Sequence, residues 1–169
     1  ADQRTRNGNG EVTVMYQRKG GVDFGNTAPK NVGEYTVKVS VAATAEWKEA
    51  EKTFDFAITA KPLTATATKE YDGNAIMPAT LTGVIDGETV TVAVTMESKN
   101  VGATVKEVTL DGKDKDNYKI EQANVTASIT KKEISGLSLN KSYTGEKEFE
   151  ASFNSSVIVA GDDIRAKIT

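Results

Sequence analysis

The residues best suited to chemistry in this chain are carboxylates, because its 169 residues include no histidine and no cysteine. Those two residue types supply the commonest general base, the thiol nucleophile and the usual soft metal ligands. Paired carboxylates could still act as acid and base. However, the acids between positions 46 and 51 are interleaved with Lys48 and Lys52, which is typical of a solvated face. We therefore predict that the chain is not an enzyme and has no catalytic residues.

The densest cluster of oxygen ligands lies in the loop that carries Asp111, Asp114 and Asp116. A calcium loop needs ligands at alternate positions, a tight glycine turn and a final bidentate acid. Here Gly112 comes too early, and lysines stand between the acids. The three aspartates are therefore weak metal candidates, and turn residues in a solvated loop explain them more simply. No cofactor is expected, with calcium as the one ion that the sequence leaves open.

The only tryptophan, Trp47, could stack on a sugar ring and is a weak candidate for a ligand-binding residue. Its equivalent in the repeat described below is Tyr118. Every module needs a core, whereas not every module needs a ligand, so an aromatic that recurs at one place favours core packing for Trp47. Tyr71 and Tyr143 stand beside turns, and we predict that each is an aromatic anchor whose hydroxyl bonds to the backbone.

An internal repeat of about 70 residues organises the elements that must position these side chains. Lys30–Gly33 recurs as Lys99–Gly102, and Lys69–Gly73 returns as Lys141–Gly145. The segment 46–61 aligns with 117–132, and 86–90 returns approximately as 161–164. We predict a shortened β repeat with a polar N-terminal lead over residues 1–61, a complete repeat over 62–133 and the front part of a third over 134–169. The chain is then a segment of a longer array.

Apolar and polar residues alternate along most of the chain, which is the pattern of half-buried β-strands. Residues 35–41 are the clearest example, and the apolar residues between 63 and 67 alternate with threonines. Asp86-Gly87 predicts a hairpin between strands 81–85 and 90–96. Residues 42–51 alone have a helix-forming composition, which could give a short helical turn. Short strands with regular turn signals predict an all-β fold of tandem small β-sandwich (Ig-like) modules arranged end to end.

Charge and hydropathy argue against two classes of partner, nucleic acid and the membrane interior. The net charge is −3 with acids and bases interleaved, so no basic field attracts nucleic acid. No apolar run of 18 residues occurs, which predicts no membrane insertion within this segment. The absence of cysteine is compatible with bacterial export.

These motifs, taken in order, resemble the YDG and MBG repeats of large bacterial cell-surface proteins and adhesins. The middle repeat carries Tyr71-Asp72-Gly73, then Lys99-Asn100-Val101-Gly102, then Asn117-Tyr118, in what looks like the family's order. The first repeat is similar to the MBG type, and the third has Tyr143-Thr144-Gly145 in place of the tripeptide. The resemblance implies an extracellular stalk of tandem β-sandwiches, and it implies no catalytic residues.

The expected function is a non-catalytic stalk or spacer that presents other domains of a bacterial cell-surface or secreted adhesin-like protein. Its partners would be other repeats and domains of the same long chain. The alternative is a module that binds glycan or host protein, or an accessory domain of a secreted polysaccharide-degrading enzyme. An exposed aromatic platform would favour glycan binding, whereas buried aromatics and polar threonine faces would favour the spacer.

Overall fold

The structure, a computed structural model, describes residues 10–136, 138–139, 142–143, 145, 149–152, 157–164 and 166–168. Regular structure in this part of the chain is almost entirely β-strand, with 3-10 helices of three residues at Lys115–Asn117 and Gln122–Asn124. The predicted all-β class is therefore confirmed.

Internal contacts divide the chain into two units. One runs as far as Lys61 and includes Asp116–Lys119, whereas the other comprises Pro62–Lys115 and the residues from Ile120 onward. Two short strands lie at this division, β4 (Lys61–Pro62) and β10 (Tyr118–Lys119).

The first unit is built on one antiparallel sheet of three strands in sequence order. These strands are β1 (Val12–Arg18), β2 (Gly33–Val41) and β3 (Ala50–Ile58). Since side chains alternate between the two faces of a strand, most apolar residues of the three strands share one face, and Met15 and Ala57 lie on the other. Tyr35 and Phe56 pair on this face with their ring centroids 5.6 Å apart.

The edge of this sheet departs from the predicted burial. Alternation placed Phe54, Phe56 and Ile58 inward, but Phe54 is 50% exposed. The reason is that β3 is an edge strand, with a neighbour on one side only. The ammonium of Lys52 lies 5.3 Å from the centre of the Phe54 ring, which is a cation–π contact.

The loop between β2 and β3 does not contain the helical turn that its composition allowed. The N–H of Trp47 donates to Thr44 Oγ1 over 3.1 Å, and the N–H of Thr44 donates to the carbonyl of Trp47 over 2.8 Å. A threonine hydroxyl that satisfies nearby N–H groups competes with helix formation. The loop is therefore closed on itself without a helix.

The second unit contains three small open sheets, with strand orders β11-β5-β7, β6-β8-β9 and β12-β13-β14. Its strands are β5 (Thr64–Glu70), β6 (Ile76–Pro78), β7 (Thr80–Thr82), β8 (Thr91–Met96), β9 (Val105–Asp111), β11 (Val125–Thr130), β12 (Ser138–Leu139), β13 (Phe149–Ser152) and β14 (Ala166–Ile168).

The core of the second unit joins the first two of these sheets. Ala67 and Ile129 come from one sheet, whereas Met77, Val94 and Met96 come from the other, and all five are at most 5% exposed. The predicted alternation along β5 is confirmed, since its two alanines are buried and its three threonines are exposed.

The Asp86-Gly87 turn does not form the predicted hairpin. A turn is present, because the N–H of Glu88 donates to the carbonyl of Ile85 over 3.1 Å. However, β7 before it pairs with β5, whereas β8 after it pairs with β6 and β9. The turn therefore passes the chain from one sheet to the other. An Asp-Gly pair marks where a chain turns, but it does not specify which strands then pair.

The first and last strands of the predicted middle repeat lie side by side. Strands β5 and β11 are parallel, with Ala65 opposite Val125 and Glu70 opposite Thr130. A parallel pair requires a long crossover connection, and here the connection includes the whole second sheet. This pairing brings the end of β11 next to the turn that follows β5.

Candidate functional site

The turn Tyr71-Asp72-Gly73 directly follows β5 and is held by its own polar groups. Asp72 Oδ1 accepts hydrogen bonds from Lys69 Nζ over 2.6 Å and from the N–H of Asn74 over 2.9 Å. Lys69 Nζ also donates to the carbonyl of Asn74 over 2.6 Å. The bond from Lys69, followed by the N–H of Asn74, holds the pKa of Asp72 below its ordinary value. Gly73 has a φ of 81°, a left-handed conformation that favours glycine.

Tyr71 connects this turn to a distant part of the chain. Its side chain is half-buried against the core, and its N–H donates to the carbonyl of Thr130 at the end of β11. Its hydroxyl donates to Asp162 Oδ1 over 3.0 Å. The anchor role predicted for Tyr71 therefore holds, but the prediction of a backbone partner for the hydroxyl was wrong.

Lys99 completes a cluster with Tyr71 and Asp162. Its Nζ lies 3.2 Å from Asp162 Oδ1 and 5.7 Å from the centre of the Tyr71 ring. Hydrogen bonds from Tyr71 and then from Lys99 lower the pKa of Asp162. Contact with the Tyr71 side chain and then with Asp162 raises the pKa of Lys99. Both groups are therefore stabilised in their charged forms, which suits a structural ion pair better than a proton donor or acceptor.

The sequence contained a partial signal for this cluster. Lys99 belongs to the repeated Lys-Asn-Val-Gly motif, and Asp162 lies in the segment that repeats residues 86–90. The repeat showed that these residues recur, but it did not show that they meet. The glycines that end the two copies of this motif also differ in backbone conformation. Gly102 has a φ of 84°, whereas the φ of Gly33 is 159°, close to extended backbone.

Two of the three aspartates in the candidate metal loop accept hydrogen bonds from backbone N–H groups. Asp111 Oδ1 accepts from the N–H of Gly112 over 2.8 Å, and Asp114 Oδ2 accepts from the N–H of Thr89 over 2.7 Å. Asp116 stands in the 3-10 helix after this loop. Among the described residues, no three acidic, histidine or cysteine side chains are grouped so that they could hold a metal ion.

Trp47 is exposed, so the prediction that it packs in the core was wrong. It is 71% exposed, whereas its repeat equivalent Tyr118 is 6% exposed. The two aromatics align in sequence, but Trp47 lies in the closed loop after β2 and Tyr118 forms part of a short strand. Tyr143, the other predicted anchor, is 98% exposed.

Trp47 borders a shallow cleft of about 320 Å³. The cleft is lined by backbone and small apolar side chains, with one cation: Gly10, Val12, Val41, Ala42, Trp47 and Lys48. Because the indole of Trp47 is exposed and its neighbours are small, the face of the ring is open to a flat ligand.

The interior of the described residues offers no candidate for acid–base chemistry. Every buried residue among them is an apolar or aromatic one, and none of their buried side-chain polar atoms lacks a hydrogen-bond partner. In the same part of the chain, no helix has the length and apolar character needed to cross a bilayer.

Comparison with known proteins identifies one domain. No curated protein and no solved structure matches the chain. The YDG domain family matches residues 45–127, a range that begins before the predicted repeat start at Pro62 and includes Trp47. The matched range also contains the Tyr71-Asp72-Gly73 turn and Lys99. A YDG domain is thus found at residues 45–127 of this chain.

Proposed function

We propose that this chain is a non-catalytic spacer segment of a bacterial cell-surface or secreted adhesin-like protein. In this proposal its repeats are tandem Ig-like β-sandwich modules outside the cell, and they hold other domains of the same long chain at a distance. The YDG domain and the all-β fold support it. The function requires folded modules and defined connections between them, and it requires no reactive group.

One observation carries the proposal. The cluster of Tyr71, Lys99 and Asp162 joins the middle repeat to a residue that the sequence places in the next repeat. Two polar contacts to one carboxylate restrict the position of Asp162 more than a single flexible link would. Such a connection is what a spacer needs, since linked modules keep their spacing only if their junctions resist bending.

The groups with shifted pKa values support a structural role. Asp55, Asp72, Lys99 and Asp162 all have their charged forms stabilised. For Asp55, the hydrogen bond from the Thr36 hydroxyl is the largest cause, ahead of Lys19. Active sites usually need the opposite, a group whose pKa is moved towards neutral pH.

An exchange experiment in the native full-length protein tests the spacer function. A spacer can be replaced by an unrelated folded domain of similar length, whereas a binding module cannot. We expect deletion of residues 62–133 to weaken adhesion and the replacement domain to restore it. If the replacement leaves adhesion as weak as the deletion does, this segment binds a partner itself and the spacer proposal is wrong.

A second candidate function, glycan binding, is favoured by the exposure of Trp47. A sugar ring could stack on the open indole face, with the small residues of the cleft beneath it. The chain would then serve as a binding module or as an accessory domain of a polysaccharide-degrading enzyme. A host protein that inserts an apolar side chain into the same cleft is the corresponding protein partner.

Tryptophan fluorescence tests this candidate, because Trp47 is the only tryptophan. Its exposure predicts a red-shifted emission that acrylamide quenches readily. A glycan that stacks on the indole would shift the emission to the blue and reduce quenching, and Trp47→Ala would abolish binding measured by calorimetry. If no member of a broad glycan panel changes the emission, the glycan candidate fails.

A further inference from the structure

Three residues around the YDG turn contact one turn far along the chain, Val159–Asp162. Tyr71 and Lys99 both bond to Asp162 Oδ1. Gly73 lies against Val159, because a Cβ atom on Gly73 would be only 2.6 Å from Val159 Cγ1. A larger residue at position 73 would therefore displace this turn. We call Tyr71, Gly73 and Lys99 the acceptor surface.

The turn that meets the acceptor surface has a counterpart in the middle repeat. In Val159–Asp162, the N–H of the last residue donates to the carbonyl of the first over 3.0 Å, and Gly161 has a φ of 92°. In Ile85–Glu88 the same bond measures 3.1 Å, and Gly87 has a φ of 86°. Both turns thus have an apolar first residue, a left-handed glycine third and an acid fourth.

We propose that the acceptor surface of a YDG repeat binds the apolar-x-Gly-acid turn of the repeat that follows it. The inference rests on the proposed spacer function and names the contact that connects neighbouring repeats. The signature residues then have separate tasks. Asp72 holds its own turn through Lys69 and Asn74, whereas Tyr71 and Gly73 contact the next repeat.

Each part of the acceptor surface recognises one part of the turn. The Tyr71 hydroxyl and the Lys99 ammonium select an acid at the fourth position, because both donate to its carboxylate. Gly73 admits a branched apolar residue at the first position. A cleft of about 230 Å³ adjoins this contact, with Val101 and Ile134 among its lining residues. It leaves space for a larger first residue, such as the isoleucine of the counterpart turn.

Zero-length cross-linking of the full chain tests the proposal. A carbodiimide couples an amine to a carboxylate only where the two are in contact, and the coupled pair loses one water to the reagent. We expect a cross-linked peptide that joins Lys99 to Asp162. The Lys69–Asp72 pair, 2.6 Å apart within the YDG turn, is the internal control. If Lys69 couples to Asp72 but Lys99 does not couple to Asp162, the proposed contact does not form.

Two variants show whether the turn is recognised through its first residue. Val159→Asp places a charge against Gly73, so the Lys99–Asp162 product should fall to background while the Lys69–Asp72 product persists. Ala160→Asp adds the same charge at the neighbouring exposed position, and the Lys99–Asp162 product should remain at the wild-type yield. An unchanged yield in Val159→Asp, or an equal loss in both variants, would overturn the proposal.

The outcome is independent of the spacer test. Loss of the contact in these cross-linking experiments would refute the acceptor surface, yet an exchange domain could still restore adhesion. Conversely, a chain that binds glycan as its main function could retain the cross-link.

Discussion

The hydroxyl of Tyr71 donates to Asp162 Oδ1 over 3.0 Å, although the two residues are 91 positions apart in sequence. Tyr71 also packs against the core of the second unit. One side chain therefore links the interior of the YDG domain to a turn outside the matched range of residues 45–127. Removing its hydroxyl should affect the distant turn and leave the packing of the ring in place.

We expect Tyr71→Phe to lower the melting temperature of the chain, because Asp162 loses one of its two donors while the ring is kept. Differential scanning calorimetry measures the change. Tyr143→Phe is the matched control and should have no effect, since Tyr143 is 98% exposed. In an Asp162→Asn background, the effect of Tyr71→Phe should become smaller. Fully additive effects of the two substitutions would show that the residues are not coupled.

Acid should remove the contribution of Asp162 to stability. Its pKa lies below the ordinary value of 3.8 in the folded chain, so its contribution is complete above that value and is lost as the pH falls through the folded pKa. Wild type should therefore be more stable than Asp162→Asn at about pH 7, and this difference in free energy of unfolding should shrink as the pH falls below the ordinary pKa. Urea denaturation at a series of pH values gives this difference. A gap that persists undiminished at the lowest pH would contradict the assigned ion pair.

Met96→Ala should destabilise the second unit strongly. Met96 is 1% exposed between the two sheets, and truncation of a buried methionine costs about 2–5 kcal/mol in free energy of unfolding. Met15→Ala, on half-buried β1, is the comparison and should cost less. Chemical denaturation followed by circular dichroism measures both. Equal losses at the two positions would mean that the core does not lie where the structure places it.

Gly102→Ala should lower the free energy of unfolding by about 1–2 kcal/mol, because alanine is strained in a left-handed backbone conformation. Gly102 has a φ of 84°, and no atom lies within 4 Å of the position that a Cβ would take. Gly25→Ala is the matched control, because its surroundings are equally open and its φ is not positive. The free energy of unfolding should change little in the control. A neutral Gly102→Ala would show that the turn relaxes to another conformation.

Calcium should leave the melting temperature unchanged relative to EDTA. Asp111 and Asp114 each accept a hydrogen bond from a backbone N–H, and these oxygens are directed towards the chain itself. The melting temperature is measured by thermal denaturation in millimolar calcium and in EDTA. A clear increase in melting temperature would instead require the loop to rearrange around the ion, and Asp114→Asn should then abolish the increase.

Strand positions could be predicted from the sequence because side-chain alternation is a local property. Leu63, Ala65 and Ala67 are buried as the pattern requires. Strand pairing depends on residues far apart, so neither the parallel β5–β11 pair nor the sheet change at Asp86-Gly87 could be read from local signals.

The candidate site was harder to predict than the fold. Tyr71 was recognised as an anchor, but its partner Asp162 lies 91 positions further along the chain, and local spacing does not determine such a partner. Trp47 was predicted wrongly for a different reason. It aligns with buried Tyr118 in sequence, but the conformation of its loop places it in solvent.

The parallel arrangement of β5 and β11 has a mechanical consequence. If tension is applied at the start of β5 and the end of β11, the two strands are drawn past each other along their length. The six registered pairs between them then bear load in shear together, rather than opening one after another as a zipper would. A domain loaded in this way resists extension until the whole strand pair slips at once.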